Sequence, residues 1–231
     1  MIKVANLTKK YGPNTAVDNL SFTIEDGRIY GFLGPNGAGK STTMNMITVC
    51  LSPTSGEITV EGTIGYLPEI PPVYTEMTPK EYLEFVAGMK GISKDQIVEE
   101  VNNALAATNI DNVKDRLISN LSKGYRQRVG ISQALIGNPD IIILDEPTVG
   151  LDPRQMVEIR QLIKRLGKNH TVVLSTHILS EVAAVCSDII MISEGKLVAC
   201  DTTRQLMKRA NDGSVLDLES LFIKLTGGGS K

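Results

Sequence analysis

The sequence predicts an α/β protein with a mostly parallel sheet, an antiparallel β-subdomain at the N-terminus and a helical subdomain inserted into the core. Three observations favour this fold. Short apolar runs, as in "DIIILDEP" and "TVVLSTH", are typical of strands covered on both faces of a parallel sheet. Segments with helical spacing follow these runs, and an all-helical stretch precedes them. The length of 231 residues suffices for one core with an inserted subdomain.

The first part of the chain predicts strands around a single helix. Residues 2–29 alternate in hydropathy and are broken by "GPN" and "EDG", which indicates antiparallel strands and hairpins. "RIYGFLG" then predicts a short buried strand, and "KSTTMNMITVC" predicts the helix that follows it. Residues 52–69, "SPTSGEITVEGTIGYLPE", predict another short hairpin.

The middle of the chain, residues 78–134, predicts the helical subdomain. Thr78 is suited to cap its first helix, with Pro79 at the first helical position. Ser93 opens the second helix, and Gln96 three residues later predicts a capping box. The predicted apolar faces comprise Tyr82, Phe85, Val86 and Met89 in the first helix, and Ile97, Val98, Val101, Ala104 and Leu105 in the second.

The α/β pattern then resumes towards the end of the chain. It predicts strands in "DIIILDEP" and "TVVLSTH", the hairpin "DIIMISEGKLVAC", and helices over residues 153–168, 179–185 and 202–210. We therefore assign residues 1–77 and 135–225 to the α/β core with its β-subdomain. We expect residues 226–231 to form a flexible tail.

Composition and charge narrow the function classes. A net charge of −2 and a pI near 5.8 disfavour a nucleic-acid binder, which usually carries a basic excess. Cys50, Cys186 and Cys200 lack the spacing of a disulfide framework or a zinc site, so we expect small buried side chains. No apolar run is long enough to span a bilayer, and the N-terminus lacks the apolar region of a signal peptide. We expect a soluble, cytoplasmic chain that reaches a membrane only through a partner.

A glycine-rich loop, "GPNGAGKST", fits the pattern G-x-x-x-x-G-K-[ST] between a predicted strand and a predicted helix. Glycines allow backbone N–H groups to turn towards phosphate oxygens, and the helix adds its dipole. Lys40 is expected to reach the β- and γ-phosphates, and the Ser41 hydroxyl to ligate Mg²⁺. A glycine-rich turn without a ligand is the alternative. The predicted phosphate-binding residues are Gly34, Pro35, Asn36, Gly37, Ala38, Gly39, Lys40, Ser41 and Thr42.

A second acidic element is expected to complete such a site. The predicted strand "IIILDE" ends in Asp145, which we expect to bind the metal, and in Glu146, which we expect to polarise the attacking water. Two adjacent carboxylates at a solvated strand end are the alternative. Together, the loop and the acidic strand predict a P-loop nucleotide hydrolase without saying which kind.

The stretch "LSKGYRQRVG", residues 121–130, resembles the signature of the ATP-binding cassette ATPases, which begins Leu-Ser-Gly-Gly-Gln. Lys123 and Tyr125 are departures from it. The order of motifs also resembles that family: phosphate loop, helical region, signature, acidic strand, "GLDP", and a histidine after a strand. The resemblance covers residues 2 to about 225.

The resemblance implies a composite site. In it, Ser122 and Gly124 cap the γ-phosphate held by Lys40 of a second copy, so that two ATP molecules are buried between head-to-tail protomers. It also assigns three further residues. Tyr11 stacks on adenine, unless it packs locally as a hairpin tyrosine; Asp152 lies in the loop that touches the partner's site; His177 contacts the γ-phosphate and helps to hold Glu146 and the water.

Two departures from the family pattern bear on function. Glu69 occupies a position that is Gln in most relatives; it still offers Mg²⁺ an oxygen, but its charge adds to that of the γ-phosphate, offset mainly by the metal and Lys40. A glutamate at this position resembles the subgroup that includes many efflux systems, which favours export. The second departure is the short link "EGT", where relatives usually carry a longer arm.

By this resemblance, the chain is the ATP-hydrolysing subunit of a transporter and lies on the inner face of the cell membrane. Its partners are an integral membrane subunit and a second cassette, identical or different, without nucleic acid. Val73, Tyr74 and Met77 near Glu69 are candidates for the membrane-subunit contact, or else they pack within the helical region.

Three alternatives stay open at this point. A cassette ATPase acting on nucleic acid or ribosomes usually shows paired cassettes, a coiled coil or basic patches, and the sequence shows none of these. Another P-loop enzyme, such as a nucleotide kinase or a GTPase, has no use for the signature, and the guanine motif Asn-Lys-x-Asp is absent. A weakly hydrolysing regulatory subunit is conceivable because of Glu69. The transported substrate is not encoded in any motif.

Overall fold

The computed structural model describes residues 1–211 and 218–226, and its strands form two sheets. The antiparallel sheet has the order β2-β1-β4, and the second sheet has the order β5-β6-β7-β3-β8-β9. In the second sheet β3, β5, β6, β7 and β8 pair in parallel, and β9 pairs antiparallel with β8. The strands are β1 (Ile2–Tyr11), β2 (Asn14–Ile24), β3 (Ile29–Leu33), β4 (Ser55–Val60), β5 (Ile64–Leu67), β6 (Ile141–Asp145), β7 (Thr171–Thr176), β8 (Asp188–Ser193) and β9 (Lys196–Thr202).

Helices α1, α4, α6 and α7 contact the second sheet, and α2 and α3 pack against α4; α2, α3 and α4 follow one another in the chain between β5 and β6. This arrangement agrees with the helical region expected over residues 78–134, although the subdomain boundaries stay a prediction. The helices are α1 (Lys40–Ile47), α2 (Pro79–Met89), α3 (Lys94–Thr108), α4 (Lys123–Leu135), α5 (Pro153–Leu166), α6 (Leu179–Val185), α7 (Thr203–Asn211) and α8 (Leu218–Leu225).

Helix α8 was not predicted from the sequence. Leu221, Phe222 and Leu225 recur at the spacing of one helix face and pack against the main core, which stabilises a short helix. Five residues of the expected tail, 227–231, lie outside the described residues. No helix among residues 1–211 and 218–226 is both long and apolar enough to cross a bilayer.

The hairpin predicted over residues 52–69 is wrong, because its two strands belong to different sheets. Strand β4 pairs with β1, and β5 pairs in parallel with β6, Ile64 lying opposite Ile141. Residues 61–63 make the crossing. There the Thr63 N–H and hydroxyl donate to the Asp140 carboxylate at 2.7 and 2.9 Å. The sequence between β4 and β5 does favour a turn, but burial of β5 beside β6 determines which strands pair.

Helix capping differs in part from the prediction. Thr78 forms a full capping box: the Glu81 N–H donates to its hydroxyl, and the Thr78 N–H donates to the Glu81 carboxylate at 2.8 Å. The capping box predicted at Ser93 is wrong. There the Ser93 hydroxyl donates to the Gln96 side-chain oxygen at 2.7 Å, so it does not accept from the helix backbone.

The predicted apolar faces are shifted at some positions. In α2, Phe85 and Met89 are exposed, and Leu83 and Ala87 are buried beside Tyr82 instead. In α3, Val98 is exposed, whereas the other four residues pack in the core. A helix presents neighbouring residues such as 82 and 83 to the core together when it packs at an angle, and periodicity does not reveal that angle.

The cysteine prediction holds at one position of three. Cys186 is buried against α6 and the core, whereas Cys50 and Cys200 are exposed. Burial raises the pKa of the Cys186 thiol. Because all three residues are cysteines, residue type alone did not indicate which of the three positions faces the interior.

Val49, just after α1, is held in a strained conformation, which leads to a stability prediction. It is 88% exposed, with φ of 62°, in the left-handed region that a β-branched residue rarely adopts. We expect Val49→Gly to raise the free energy of unfolding by about 1 kcal/mol, because relief of strain outweighs the added chain entropy.

Urea unfolding measures this change, and Val98→Gly is the matched control. Val98 is also exposed, but it lies within α3, where glycine should lower the free energy of unfolding by about 1 kcal/mol. Equal destabilisation by both substitutions would contradict the assigned strain at Val49.

Candidate functional site

The phosphate loop joins β3 to α1 at the centre of the parallel sheet, where β3 lies between β7 and β8. Its glycines are required by the geometry. A Cβ on Gly34 would lie 2.6 Å from the Ile192 carbonyl oxygen, and one on Gly39, where φ is 98°, would lie 2.4 Å from the Ala16 carbonyl oxygen. In the described part of the chain no side chain caps α1, so the first turn of this helix has backbone N–H groups free of side-chain partners there.

Lys40 is buried at the start of α1 and points back into the loop. Its ammonium donates to the Gly34 carbonyl at 2.9 Å and to the Pro35 carbonyl at 3.3 Å. It also forms an ion pair with Glu146 at 3.3 Å. The cation is therefore held by groups of the same loop and by the acidic strand.

Asp145 and Glu146 lie at the end of β6, all of whose residues are buried. Asp145 is only 1% exposed, and burial raises its pKa, opposed by the nearby hydroxyls of Ser175 and Ser41. Among the described residues, its Oδ1 has no hydrogen-bond partner. A buried carboxylate oxygen without a partner, close to the Ser41 hydroxyl, is chemically suited to Mg²⁺, which prefers oxygen ligands.

Glu146 is fixed by several contacts at once. Its backbone has φ of 48°, and its N–H donates to the Ser175 carbonyl at 2.8 Å. The ring nitrogen Nδ1 of His177, just after β7, lies 3.0 Å from each carboxylate oxygen. Glu146 thus sits between a cation and an imidazole, in a backbone conformation that few non-glycine residues adopt.

Lys40, Glu146 and His177 line one cavity of about 380 Å³, whereas Asp145, Gly34 and Pro35 are not among its lining residues. The loop and α1 contribute six of the predicted residues: Asn36, Gly37, Gly39, Lys40, Ser41 and Thr42. Glu69, Glu146 and His177 join them from three other segments, and Ala16 and Val149 complete the wall. Ala38 is buried beneath the loop. Sequence reasoning missed Ala16 and Val149, since neither carries polar chemistry.

Tyr11 does not line this cavity. Its ring is half exposed at the end of β1, and the Lys9 ammonium lies 5.3 Å from the ring centroid. The ring is thus open to a ligand on one side, and its role against adenine stays a prediction.

The structure does not bring Ser122, Gly124 and Asp152 into the phosphate-loop cavity of the same chain. Ser122 caps α4, and Asp152 caps α5 by accepting from the Gln155 N–H at 2.9 Å. Ser122 and Gly124 line a separate cavity of about 410 Å³ with Gln155. One chain alone therefore does not assemble the whole predicted set.

Comparisons with known proteins agree on one family. A family model described as "ABC transporter" matches residues 17–149. The bacitracin transport ATP-binding protein BcrA of Bacillus licheniformis is 40% identical over 212 residues, covering 86% of this chain and 68% of the relative. The lantibiotic transport ATP-binding protein SrtF of Streptococcus pyogenes is 37% identical over 232 residues, covering 96% of each.

Solved structures give the same answer. The ATP-binding subunit of an ABC transporter aligns with a TM-score of 0.84 and 26% identity, covering 98% of this chain and 99% of that one. A dimeric post-hydrolysis state of the ATP-binding cassette MJ0796, bound to ADP and Pi, aligns with a TM-score of 0.79 and 28% identity, covering 87% and 98%.

The buried acid at the end of β6 leads to a prediction on stability. Because the folded state disfavours ionised Asp145, we expect Asp145→Asn to raise the free energy of unfolding of the ligand-free chain by roughly 1 kcal/mol at pH 8. The raised pKa of Asp145 fixes the sign: wild-type stability falls as pH rises from the ordinary Asp range through the folded pKa. The gain should therefore shrink as the pH is lowered towards about 4.

Thermal or urea unfolding across this pH range measures the effect. Exposed Asp115 is the control, and Asp115→Asn should change stability by less than about 0.5 kcal/mol. A stability loss in Asp145→Asn would contradict the prediction, because it would mean that the ionised carboxylate holds the fold together.

Proposed function

The chain belongs to the ABC transporter family as an ATP-binding, ATP-hydrolysing subunit, and we propose that it binds ATP between two head-to-tail copies and drives a separate membrane subunit. The observation that carries the hydrolytic part is the contact of buried Glu146 with Lys40 and His177 inside the phosphate-loop cavity. The roles of the individual residues are part of this proposal.

ATP binding begins at the loop and at α1. Backbone N–H groups and the positive end of the α1 dipole attract the phosphates. Lys40 then exchanges its loop carbonyls and Glu146 for the β- and γ-phosphates, since these carry more negative charge than the groups it contacts now. This exchange frees the Glu146 carboxylate for the water.

Mg²⁺ fits the same site. The residues that would hold it are Ser41, Asp145 and Glu69, of which Asp145 offers the buried, unpartnered oxygen. Bound with ATP, the ion would offset negative charge on the phosphates. Among the described residues no cluster of His, Cys, Asp and Glu could hold a metal by itself.

Hydrolysis uses Glu146 as the group that accepts a proton from water. The water oxygen attacks the γ-phosphorus, the bond from that phosphorus to the β–γ bridging oxygen breaks, and phosphate and ADP are left. His177 orients the carboxylate through Nδ1; in a neutral imidazole the proton then resides on Nδ1, and Nε2 can accept. Burial of Lys40 and Glu146 strengthens the electrostatic contact between them.

The second copy completes the site. The start of α4, with the Ser122 hydroxyl and Gly124, is a helix N-terminus suited to an anion, and it lines a different cavity from the phosphate loop of its own chain. We propose that it contacts the γ-phosphate of the partner copy, with Asp152 near the same junction and Tyr11 on the adenine. The two copies then close together only when ATP is bound between them, and hydrolysis of the ATP allows them to separate.

A membrane subunit is proposed to dock beside Glu69. Tyr74 is 49% exposed and stacks edge-on with exposed Phe85 at 5.6 Å between ring centroids, whereas Val73 and Met77 pack against the core. This partly exposed aromatic pair offers a partner apolar surface, and contiguous exposed apolar surface marks interaction sites. Peripheral attachment to the inner face of the membrane follows from such a partner, and export is favoured by Glu69.

The composite site makes a prediction for two variants. Glu146→Gln should bind ATP and accumulate as an ATP-dependent dimer, because the water is no longer activated. Adding Ser122→Asp should leave ATP binding by the monomer unchanged and weaken dimerisation at least about tenfold, because Asp still caps α4 but repels phosphate. Lys40→Ala should instead weaken ATP binding itself.

Analytical ultracentrifugation with ATP and Mg²⁺ measures dimer formation, and titration with a fluorescent ATP analogue measures ATP binding by the monomer. The matched control is Ser93→Asp, which places the same charge at the N-cap of α3. A Glu146→Gln chain that stays monomeric at saturating ATP would refute the composite site. Loss of monomer binding in Ser122→Asp would place Ser122 in its own chain's site.

The docking proposal predicts which proteins copurify with the chain from native membranes. A tagged chain, extracted in gentle detergent, should carry a stoichiometric polytopic membrane protein, identified by mass spectrometry. Tyr74→Asp should reduce that recovery several-fold, because it puts a charge into an aromatic contact, while Val98→Asp, on another exposed helix face, should not. Recovery of ribosomal or DNA-associated partners alone would overturn the transporter assignment and leave the ATPase site intact.

A further inference from the structure

Glu181 in α6 is a buried acid that the proposed hydrolysis does not use. Its side chain is fully buried. The carboxylate oxygen Oε2 accepts a hydrogen bond from the Thr176 hydroxyl at 3.1 Å, and Oε1 has no hydrogen-bond partner among the described residues. A carboxylate removed from water requires partners, and an apolar residue of similar volume often serves the fold as well or better. Packing alone therefore does not explain an acid at this position.

The Thr176 hydroxyl joins Glu181 to the segment that carries His177. It donates to Glu181, and it accepts from the Ile178 N–H at 3.1 Å. His177 is the residue between Thr176 and Ile178. The hydroxyl thus spans His177 and ties the residue after it to the residue before it.

The backbone before His177 is held by the sheet. Thr176 is the last residue of β7, and it pairs in parallel register with Leu33 of β3. The Thr176 side chain is buried as well, so its hydroxyl is shielded from water that would compete with Glu181. One end of the short segment is therefore fixed by strand pairing, and the other end by the hydroxyl.

Packing of α6 holds Glu181 in place. Val182 and Cys186, which follow Glu181, pack in the main core. A Cβ on Gly31 of β3 would lie 2.6 Å from the Val182 side chain, so α6 lies directly against the strand that leads into the phosphate loop. Glu181, in the first turn of α6, links this packed helix to the end of β7 through Thr176.

This series of contacts ends at the proposed catalytic base. The His177 side chain is 39% exposed, so packing restricts its ring only in part. The direction of the ring then depends on the backbone that carries it. The ring places Nδ1 3.0 Å from each carboxylate oxygen of Glu146. A backbone shift at His177 would therefore turn the ring away from Glu146.

We infer that Glu181 and Thr176 are positioning residues that hold His177 against Glu146. The buried carboxylate fixes the hydroxyl, the hydroxyl fixes the backbone after His177, and the ring then orients the carboxylate that accepts a proton from water. Neither Glu181 nor Thr176 lines the phosphate-loop cavity, so both act through His177. This inference rests on the proposed function and adds a buried pair to its site.

Removal of both partners together tests this inference. In the double variant Thr176→Val with Glu181→Leu, neither side chain is left unpaired in the core, so the chain should fold with a urea midpoint close to that of the wild type. Its kcat for MgATP should nevertheless fall about tenfold, because Glu146 is less well oriented, whereas KM should change less than about twofold. Glu181→Gln alone should keep kcat within about threefold of the wild type, since it retains an oxygen that accepts from Thr176.

The matched control removes a buried hydroxyl pair elsewhere in the chain. The hydroxyls of Thr108 in α3 and Ser132 in α4 lie 2.6 Å apart, and both side chains are fully buried. Thr108→Val with Ser132→Ala therefore also replaces two paired polar groups with apolar ones. Because this pair has no contact with His177, kcat should stay within about twofold of the wild type.

A second background shows whether the pair acts through His177. His177→Ala already removes the ring that the pair is inferred to hold. Adding Thr176→Val with Glu181→Leu to His177→Ala should therefore lower kcat by less than about a further twofold. Single-turnover measurements with excess enzyme follow the slow reaction of these variants.

The ring itself gives a readout that does not require activity. The chain has 2 histidines, so NMR of the imidazole nitrogens reports His177 and His170 separately. In the double variant the His177 signals should move towards those of a free histidine, because Nδ1 loses its fixed contact with Glu146. The His170 signals should stay unchanged, since Nδ1 of His170 contacts the Pro139 carbonyl at 2.7 Å, beyond the other end of β7.

Each outcome bears on the inference or on the proposed function. Unchanged kcat in the double variant, or unchanged His177 signals, would overturn the inference. An equal fall in kcat in the wild-type and His177→Ala backgrounds would overturn it as well, because the pair would then act on the fold as a whole. A wild-type chain without ATPase activity would instead refute the proposed function, and the His177 signals would still show whether the pair holds the ring.

Discussion

The buried carboxylate of Glu146 is the constraint on which the rest of the site depends. A charge removed from water requires partners, and Glu146 finds them in Lys40 at 3.3 Å and His177 at 3.0 Å. These three residues follow three different strands. The sheet order β6-β7-β3 makes the strands neighbours, so their carboxyl ends meet at one edge, and chemistry from distant sequence positions converges there.

Several groups at the same edge of the sheet are held in energetically unfavourable states, as is common at functional sites. Glu146 adopts positive φ, Asp145 is buried against its tendency to ionise, and buried polar atoms nearby lack partners among the described residues. In the proposed cycle, ATP and metal supply the missing partners and the second copy completes the γ-phosphate contacts. Ligand binding would then stabilise the closed state by relieving these costs, which links the chemistry to mechanical work.

Sequence reasoning predicted those parts of the site that lie in contiguous motifs. The loop at residues 34–42, the pair Asp145–Glu146 and His177 carry their chemistry in local order, and the structure brings members of all three into one cavity. The predictions from the sequence were wrong where packing between distant parts of the chain determines the structure. The hairpin at residues 52–69 is split between two sheets, helix α2 buries Leu83 and Ala87 in place of Phe85 and Met89, and helix α3 leaves Val98 exposed. Ala16 and Val149 reach the site only through the fold.

A crystal structure of the chain with Mg²⁺ and a non-hydrolysable ATP analogue tests the central claim most directly. We expect the Lys40 ammonium to leave Glu146 for the β- and γ-phosphates, while His177 keeps its contact with Glu146. We also expect Ser122 of a second copy to lie on the γ-phosphate. A nucleotide held by one chain only, with Lys40 still paired to Glu146, would contradict the proposed mechanism.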